Sequence, residues 1–74
     1  MNNLALENAI EAKELSDEVF VKINQILFIL EKNMDDESFT KAKYAAGHLL
    51  ASLYFDFMRP FVYESHPILD PGSN

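Results

Sequence analysis

The chain has 74 residues and no cysteine, so disulfides are excluded at a size where one hydrophobic core barely outweighs the conformational entropy of folding. Self-association is then the expected means of stabilisation. The net charge of −6, from six basic and twelve acidic residues, excludes nucleic acid, which binds basic surfaces, and anionic membrane surfaces as partners.

The N-terminal residues lack the features of a signal peptide. Met1–Leu4 carries no positive charge and no long apolar run. The most apolar stretch, Tyr44–Met58, has only about 15 residues and is interrupted by His48 and Asp56, which is too short for a membrane span. We therefore expect a cytoplasmic protein that does not enter the membrane.

The first predicted helix covers about residues 3–32, where no Gly or Pro interrupts the chain and where Asn2 or Asn3 can cap the start. Small and apolar residues recur there at alternating steps of four and three, as in a helix that packs along a seam. These residues are Ala5, Ala9, Ala12, Ser16, Val19, Ile23, Ile26 and Leu30. The apolar run Ile26–Leu30 occupies every side of the helix, so more than one partner helix must cover it.

A second predicted helix covers about residues 37–59. Asp35 or Asp36 can accept hydrogen bonds from the free amides at its start, which marks a break after the first helix. Pro60 ends or kinks it. Its apolar side chains form two neighbouring rows, with Ala42, Ala46, Leu49 and Leu53 in one and Phe39, Leu50, Tyr54, Phe57 and Phe61 in the other.

Side-chain size predicts that the two helices pair as an antiparallel hairpin. If the turn lies near residues 34–35, facing residues have numbers that sum to about 69, and large side chains then meet small ones at each level. Ile23 and Ile26 face Ala42–Gly47, and Ala9, Ala12 and Ser16 face Leu53, Phe57 and Phe61. We expect one all-α domain over residues 1–74 that dimerises into an antiparallel four-helix bundle, and the acidic cap argues against one continuous helix.

Residues 60–74 form a proline-rich C-terminal tail. Its apolar side chains are too numerous for a free tail, so we expect them to fold back onto the helices. They are Phe61, Val62, Tyr63, Ile68 and Leu69. The last residues, Pro71–Asn74, are expected to be disordered.

Two surfaces are candidates for binding a protein. Four glutamates, Glu7, Glu11, Glu14 and Glu18, share one face of the first helix and form an acidic ridge that either docks a basic protein partner or is simply a solvated face, softened by Lys13 and Lys22. Aromatic and aliphatic residues at the end of the first helix and around the second helix indicate a dimer interface or core. We assign to it Ile26, Phe28, Tyr54, Phe57 and Phe61.

His48 and Asp56 are two polar residues within the apolar second helix. They lie about 12 Å apart along it, so they meet only across a dimer axis, where they would line a ligand pocket. In the alternative, His48 lies at a core edge and Asp56 pairs with Arg59 or a lysine.

No motif in the sequence indicates catalysis, a cofactor or a metal. No glutamate stands three residues before a histidine, as di-iron bundles require, and the serines lack the context of a nucleophile. We expect a small acidic protein–protein interaction module without enzymatic activity, such as an immunity protein, an antitoxin partner, an adaptor or another regulator. The alternatives are a bundle that binds a small ligand or a metal near His48 and Asp56, and a structural subunit of a larger complex.

Overall fold

The computed structural model describes residues 3–72, which form two antiparallel helical arms, and the longest dimension of the molecule is 46 Å. Helix α1 is Leu6–Asn33, and helix α2 is Asp36–Ser52. Helix α2 continues without a break into a π-helix, Leu53–Tyr63, and together they are the second arm. A short 3₁₀ turn, Pro67–Leu69, follows. The predicted all-α antiparallel hairpin is therefore confirmed.

The turn between the arms is fixed by Asp35. Its Oδ1 accepts a hydrogen bond from the backbone N–H of Ser38 at 2.7 Å, which caps α2 as the sequence predicted. This bond holds the pKa of Asp35 below its ordinary value of 3.8. Met34 is extended, with φ −122° and ψ 155°, so α1 stops one residue before the cap.

The start of α1 differs from the prediction. The helix begins at Leu6 with Ala5 as its N-cap, and no side chain caps it, so the predicted cap by Asn3 is wrong. Asn2, the other predicted cap, lies outside the described residues. The backbone before the helix is held from elsewhere, because His66 Nε2 donates a hydrogen bond to the Leu4 carbonyl at 2.7 Å.

The inner side of α1 follows most of the predicted seam and departs from it at Ala5, Val19 and Ile26, which are exposed. Ala9 and Ser16 are buried and Ala12 is half-buried, as expected. Beyond them Ile23 and Leu30 are half-buried as predicted, but Val19 and Ile26 are exposed, and their neighbours Phe20 and Leu27 are half-buried instead. Residues 19 and 20 are both apolar, and so are residues 26 and 27, so hydrophobic periodicity alone does not show which residue of each pair faces inward.

Helical structure continues past Pro60 because the turns of the second arm widen there. The Glu64 N–H donates to the Arg59 carbonyl, five residues back, at 2.9 Å. Proline has no N–H, and in an α-helix its ring clashes with the carbonyl four residues earlier. The π-helix accommodates this residue, so the predicted end of the second helix near Arg59 is corrected to Tyr63.

The wider turns also change which side chains face α1. An α-helix would bring Phe57 and then Phe61 inward after Leu53, as the sequence predicted. In the π-helix the inner positions fall one residue later, so Met58 is 3% exposed while Phe57 is 58% exposed. Val62 is buried in place of Phe61 for the same reason.

The core lies at the open end of the hairpin, away from the turn. Ala9, which has no exposed surface, packs with Met58, Val62 and Tyr63 of the π-helix. Half-buried side chains that surround this cluster are Leu4, Ala12, Leu53, Tyr54 and Leu69. Helix α2, by contrast, contains no buried residue.

The tail is tied back to the arms by a set of polar contacts that we call the C-terminal lock. The Tyr54 hydroxyl donates to Asp70 Oδ1 at 2.5 Å, and the Gly72 N–H donates to the same oxygen at 2.8 Å. Leu69 is half-buried, as predicted, but Ile68 is 90% exposed. Disorder was predicted for Pro71–Asn74, but Pro71 and Gly72 form a turn, so the prediction is wrong for these two residues; Ser73 and Asn74 lie outside the described residues.

Candidate interaction surface

Most large apolar side chains of the hairpin lie on its outside. Only three of them, Met58, Val62 and Tyr63, are buried among the described residues. The exposed ones are Leu6, Ile10, Leu15, Val19, Val21, Ile26, Phe28, Ile29, Met34, Tyr44, Leu49, Phe55, Phe57, Phe61 and Ile68. An exposed apolar surface of this extent is typical of a protein that binds another protein.

On one side of the hairpin, a shallow hollow of about 240 Å³ lies between the two arms. We call it the apolar groove. Eight residues line it, Ala12, Leu15, Ser16, Val19, Leu53, Phe57, Met58 and Val62, and none is charged. Met58, Val62 and Ser16 are buried, while Leu15, Val19 and Phe57 are exposed and form its rim.

The rim continues along both arms. Phe57 packs against Phe61, with 6.2 Å between the ring centroids. Ile26 is exposed two turns after Val19, on the same side of α1, and Leu49 is exposed one turn before Leu53. The apolar side of the hairpin therefore extends well beyond the groove itself.

The other two residues of the predicted dimer interface lie elsewhere. Phe28 is nine residues from Val19, which places it on the opposite side of α1, where Lys32 Nζ lies 4.2 Å from its ring centroid. Tyr54 is half-buried and belongs to the C-terminal lock. The structure thus brings together Phe57 and Phe61, places Ile26 on their side, and separates Phe28 and Tyr54 from them.

The tail is attached to the hairpin at Tyr54, through the bond from its hydroxyl to Asp70. The pKa of Tyr63 is raised, mainly by burial and then by the nearby carboxylates of Asp17 and Asp70. Asp17 lies two residues from both Leu15 and Val19, which is about half a helical turn. The tail is thus held on the side of the hairpin that carries Tyr54 and Tyr63, and none of residues 64–72 lines the groove.

All four glutamates of the acidic ridge are exposed on α1. Glu18 is adjacent to Val19 in sequence and lies within one turn of Leu15, so the ridge follows the outer edge of the groove. Lys13, expected to soften the ridge, instead forms an ion pair with Asp17 at 3.3 Å. The ridge carboxylates thus border an uncharged apolar surface.

The structure places His48 and Asp56 on the outside of the second arm, both exposed. Asp56 Oδ2 accepts a hydrogen bond from Ser52 Oγ at 2.9 Å, rather than pairing with Arg59 or a lysine. Neither residue lines the groove. Within residues 3–72, no three His, Asp or Glu side chains gather where a metal ion would need them.

Comparisons of the chain with protein-family models, curated proteins and solved structures give no match. None of the helices in the described part of the chain is both long and apolar enough to span a membrane.

Sequence reasoning missed two features of this surface. Leu15 lies outside the predicted seam, and the one-residue change of phase in the π-helix makes Phe57 a rim residue rather than a core residue. The C-terminal lock was also missed. Its signal was the Asp70-Pro71-Gly72 turn, whose leading aspartate is a typical acceptor for a backbone N–H two residues on.

Proposed function

We propose that this chain is a small acidic protein–protein interaction module of the cytoplasm that performs no catalysis. The observation that carries the proposal is the uncharged apolar groove with its exposed rim of Leu15, Val19 and Phe57. An immunity protein, an antitoxin partner, an adaptor or a small regulator fits this description.

Covering the groove with another protein is favourable because it removes apolar surface from water. The gain is about 25 cal/mol for each Å² of apolar surface buried. Water is already excluded from Met58 and Val62 at the floor, so a partner needs only to cover the rim. The groove therefore supplies the affinity of the module.

The acidic ridge supplies orientation. Four carboxylates in a row attract a basic partner over about 8–10 Å at physiological salt, which speeds encounter more than it adds affinity. Because the ridge borders the groove, a basic partner is steered toward the apolar side of the hairpin. Binding through the ridge must weaken as salt rises.

The alternative function, a bundle that binds a small ligand or a metal, needs a pocket that contains His48 and Asp56. Both side chains are exposed on the outside of the second arm. The groove is also smaller than the roughly 300–1,000 Å³ of typical small-molecule sites. The geometry therefore favours side chains of a protein as its occupants.

Copurification of a tagged chain from its native cell, at low and moderate salt, tests the proposal. We expect a stoichiometric basic protein that is lost at moderate salt and lost from a double variant, Glu11→Lys with Glu14→Lys. The matched control is Asp36→Lys with Glu37→Lys, which changes charge equally near the turn. Retention of no protein at either salt, or equal retention by the ridge variant, would contradict the proposal.

A further inference from the structure

We infer that the occupant of the apolar groove is a second copy of this chain, related to the first by a twofold axis. The two hairpins then form a four-helix bundle, with both acidic ridges outside. This inference rests on the proposed function, since it names the protein that covers the groove, and it leaves the ridge available to a basic partner.

The first support is surface area. The chain has a mass of 8.5 kDa and a solvent-accessible surface of 5696 Å². A compact monomer of this mass exposes about 4,700 Å². The excess, about 1,000 Å², is close to the roughly 800 Å² that each partner buries in a stable protein–protein interface.

The second support is charge. A twofold axis sets each surface against itself, so like charges on that surface repel. The chain carries a net charge of −6, but no charged residue lines the groove. A second copy, although it carries the same net charge, therefore meets no like charge among the residues that line the groove.

The third support is shape. Small residues, Ala12 and Ser16, form part of the lining on α1, and the large ring of Phe57 stands at the rim on the second arm. Each copy thus offers both a protruding side chain and a place for one, as an interface that pairs with itself requires. None of residues 64–72 of the tail lines the groove.

Sedimentation equilibrium of the full-length chain over a range of concentrations tests this inference. We expect a limiting mass of twice 8.5 kDa for the wild type. Val19→Glu and Phe57→Glu place like charges opposite each other in the interface and should weaken self-association at least about 100-fold. Val21→Glu and Phe55→Glu, at exposed positions on other sides of the same helices, should leave it unchanged.

The inference is overturned if the wild type stays at 8.5 kDa at every concentration, or if Val19→Glu and Phe57→Glu associate as the wild type does. If both groove variants lose their far-UV helical signal, they are unfolded, and the inference is tested on the wild type alone. Its NMR amide shifts must then change with concentration at groove residues and not around Val21. A chain that stays single yet retains a basic protein refutes the second copy and keeps the proposed function. A chain that dimerises but retains no basic protein supports the second copy and contradicts the binding of a basic partner.

Discussion

The hydroxyl of Tyr54 and the carboxylate of Asp70 are 2.5 Å apart and join the start of the π-helix to a turn sixteen residues later. The same Asp70 oxygen accepts the Gly72 N–H. The bond between Tyr54 and Asp70 is the main reason that the pKa of Asp70 is lowered, and it is also the main reason that the pKa of Tyr54 is raised. The C-terminal lock needs an ionised Asp70 and a protonated Tyr54, so its hydrogen bond is lost both in acid and in strong base.

Tyr54→Phe should lower the melting temperature in a pH-dependent way. The Asp70 contribution is present above its ordinary pKa of 3.8 and is lost as pH falls through the lowered folded pKa. The Tyr54 contribution is present below 10.0 and is lost as pH rises through the raised folded pKa. The difference between wild type and variant should therefore be constant between these values and shrink outside them.

Tyr44→Phe, which removes an exposed hydroxyl from the other end of the second arm, is the control for this experiment. It should leave the melting curve unchanged at every pH. A Tyr54→Phe difference that does not narrow in acid would show that Asp70 does not stabilise the fold through this bond.

Ala9→Leu should destabilise the hairpin. Ala9 has no exposed surface and contacts the π-helix, so three added carbons must displace packed side chains, at a cost of about 1–3 kcal/mol. Urea denaturation measures the change. Ala45→Leu makes the same substitution at an exposed site of α2 and should have little effect. Equal effects at the two sites would mean that Ala9 is not at the contact between the arms.

Met58→Ala and Phe57→Ala should differ, although the residues are adjacent. Met58 is buried, so its truncation should cost about 2–5 kcal/mol at any protein concentration. Phe57 is largely exposed in the single chain, so its truncation should cost about 1 kcal/mol or less in dilute solution. Denaturation at two protein concentrations checks this, and a larger cost for Phe57→Ala in dilute solution would contradict the phase of the π-helix.

Asp35→Ala should lower the melting temperature by about 4–8 °C, because it removes the N-cap of α2. The pKa of Asp35 is lowered by that same bond, so the stabilisation is present above 3.8 and is lost as pH falls through the folded pKa. Thermal melts at neutral and acidic pH measure both effects. Asp36→Ala, one residue into the helix, keeps the cap and should have a much smaller effect.

Reversing the acidic ridge should not unfold the protein. Glu11→Lys with Glu14→Lys changes two exposed residues and relieves repulsion between like charges on one helix face. The melting temperature should stay the same or rise slightly. A large drop, measured in low salt, would show that the ridge is a structural element rather than a binding surface.

The hairpin could be predicted because its decisive signals are local. Asp35 accepts the Ser38 N–H whatever the rest of the chain does, and small Ala9 must face something large. These two facts fix where the chain turns and which ends of the arms meet. They do not fix the rotation of each arm about its own axis.

That rotation was not predictable, because it depends on how the backbone accommodates Pro60. A kink, a helix end and a π-helix all avoid the clash of its ring, and only tertiary packing selects among them. Selection of the π-helix moved Met58 inward and Phe57 outward, which converts a predicted core residue into part of the candidate site. The lock escaped prediction because it joins side chains that no sequence period relates.

The contact between His66 Nε2 and the Leu4 carbonyl spans 62 positions, most of the described chain. Closing so long a loop is entropically expensive unless the intervening arms are already paired. Folding should therefore start at the Asp35 turn and end when this contact forms. A fluorophore pair placed at Leu6 and Ile68 would report the last step of folding, whereas a pair flanking the turn would report the first.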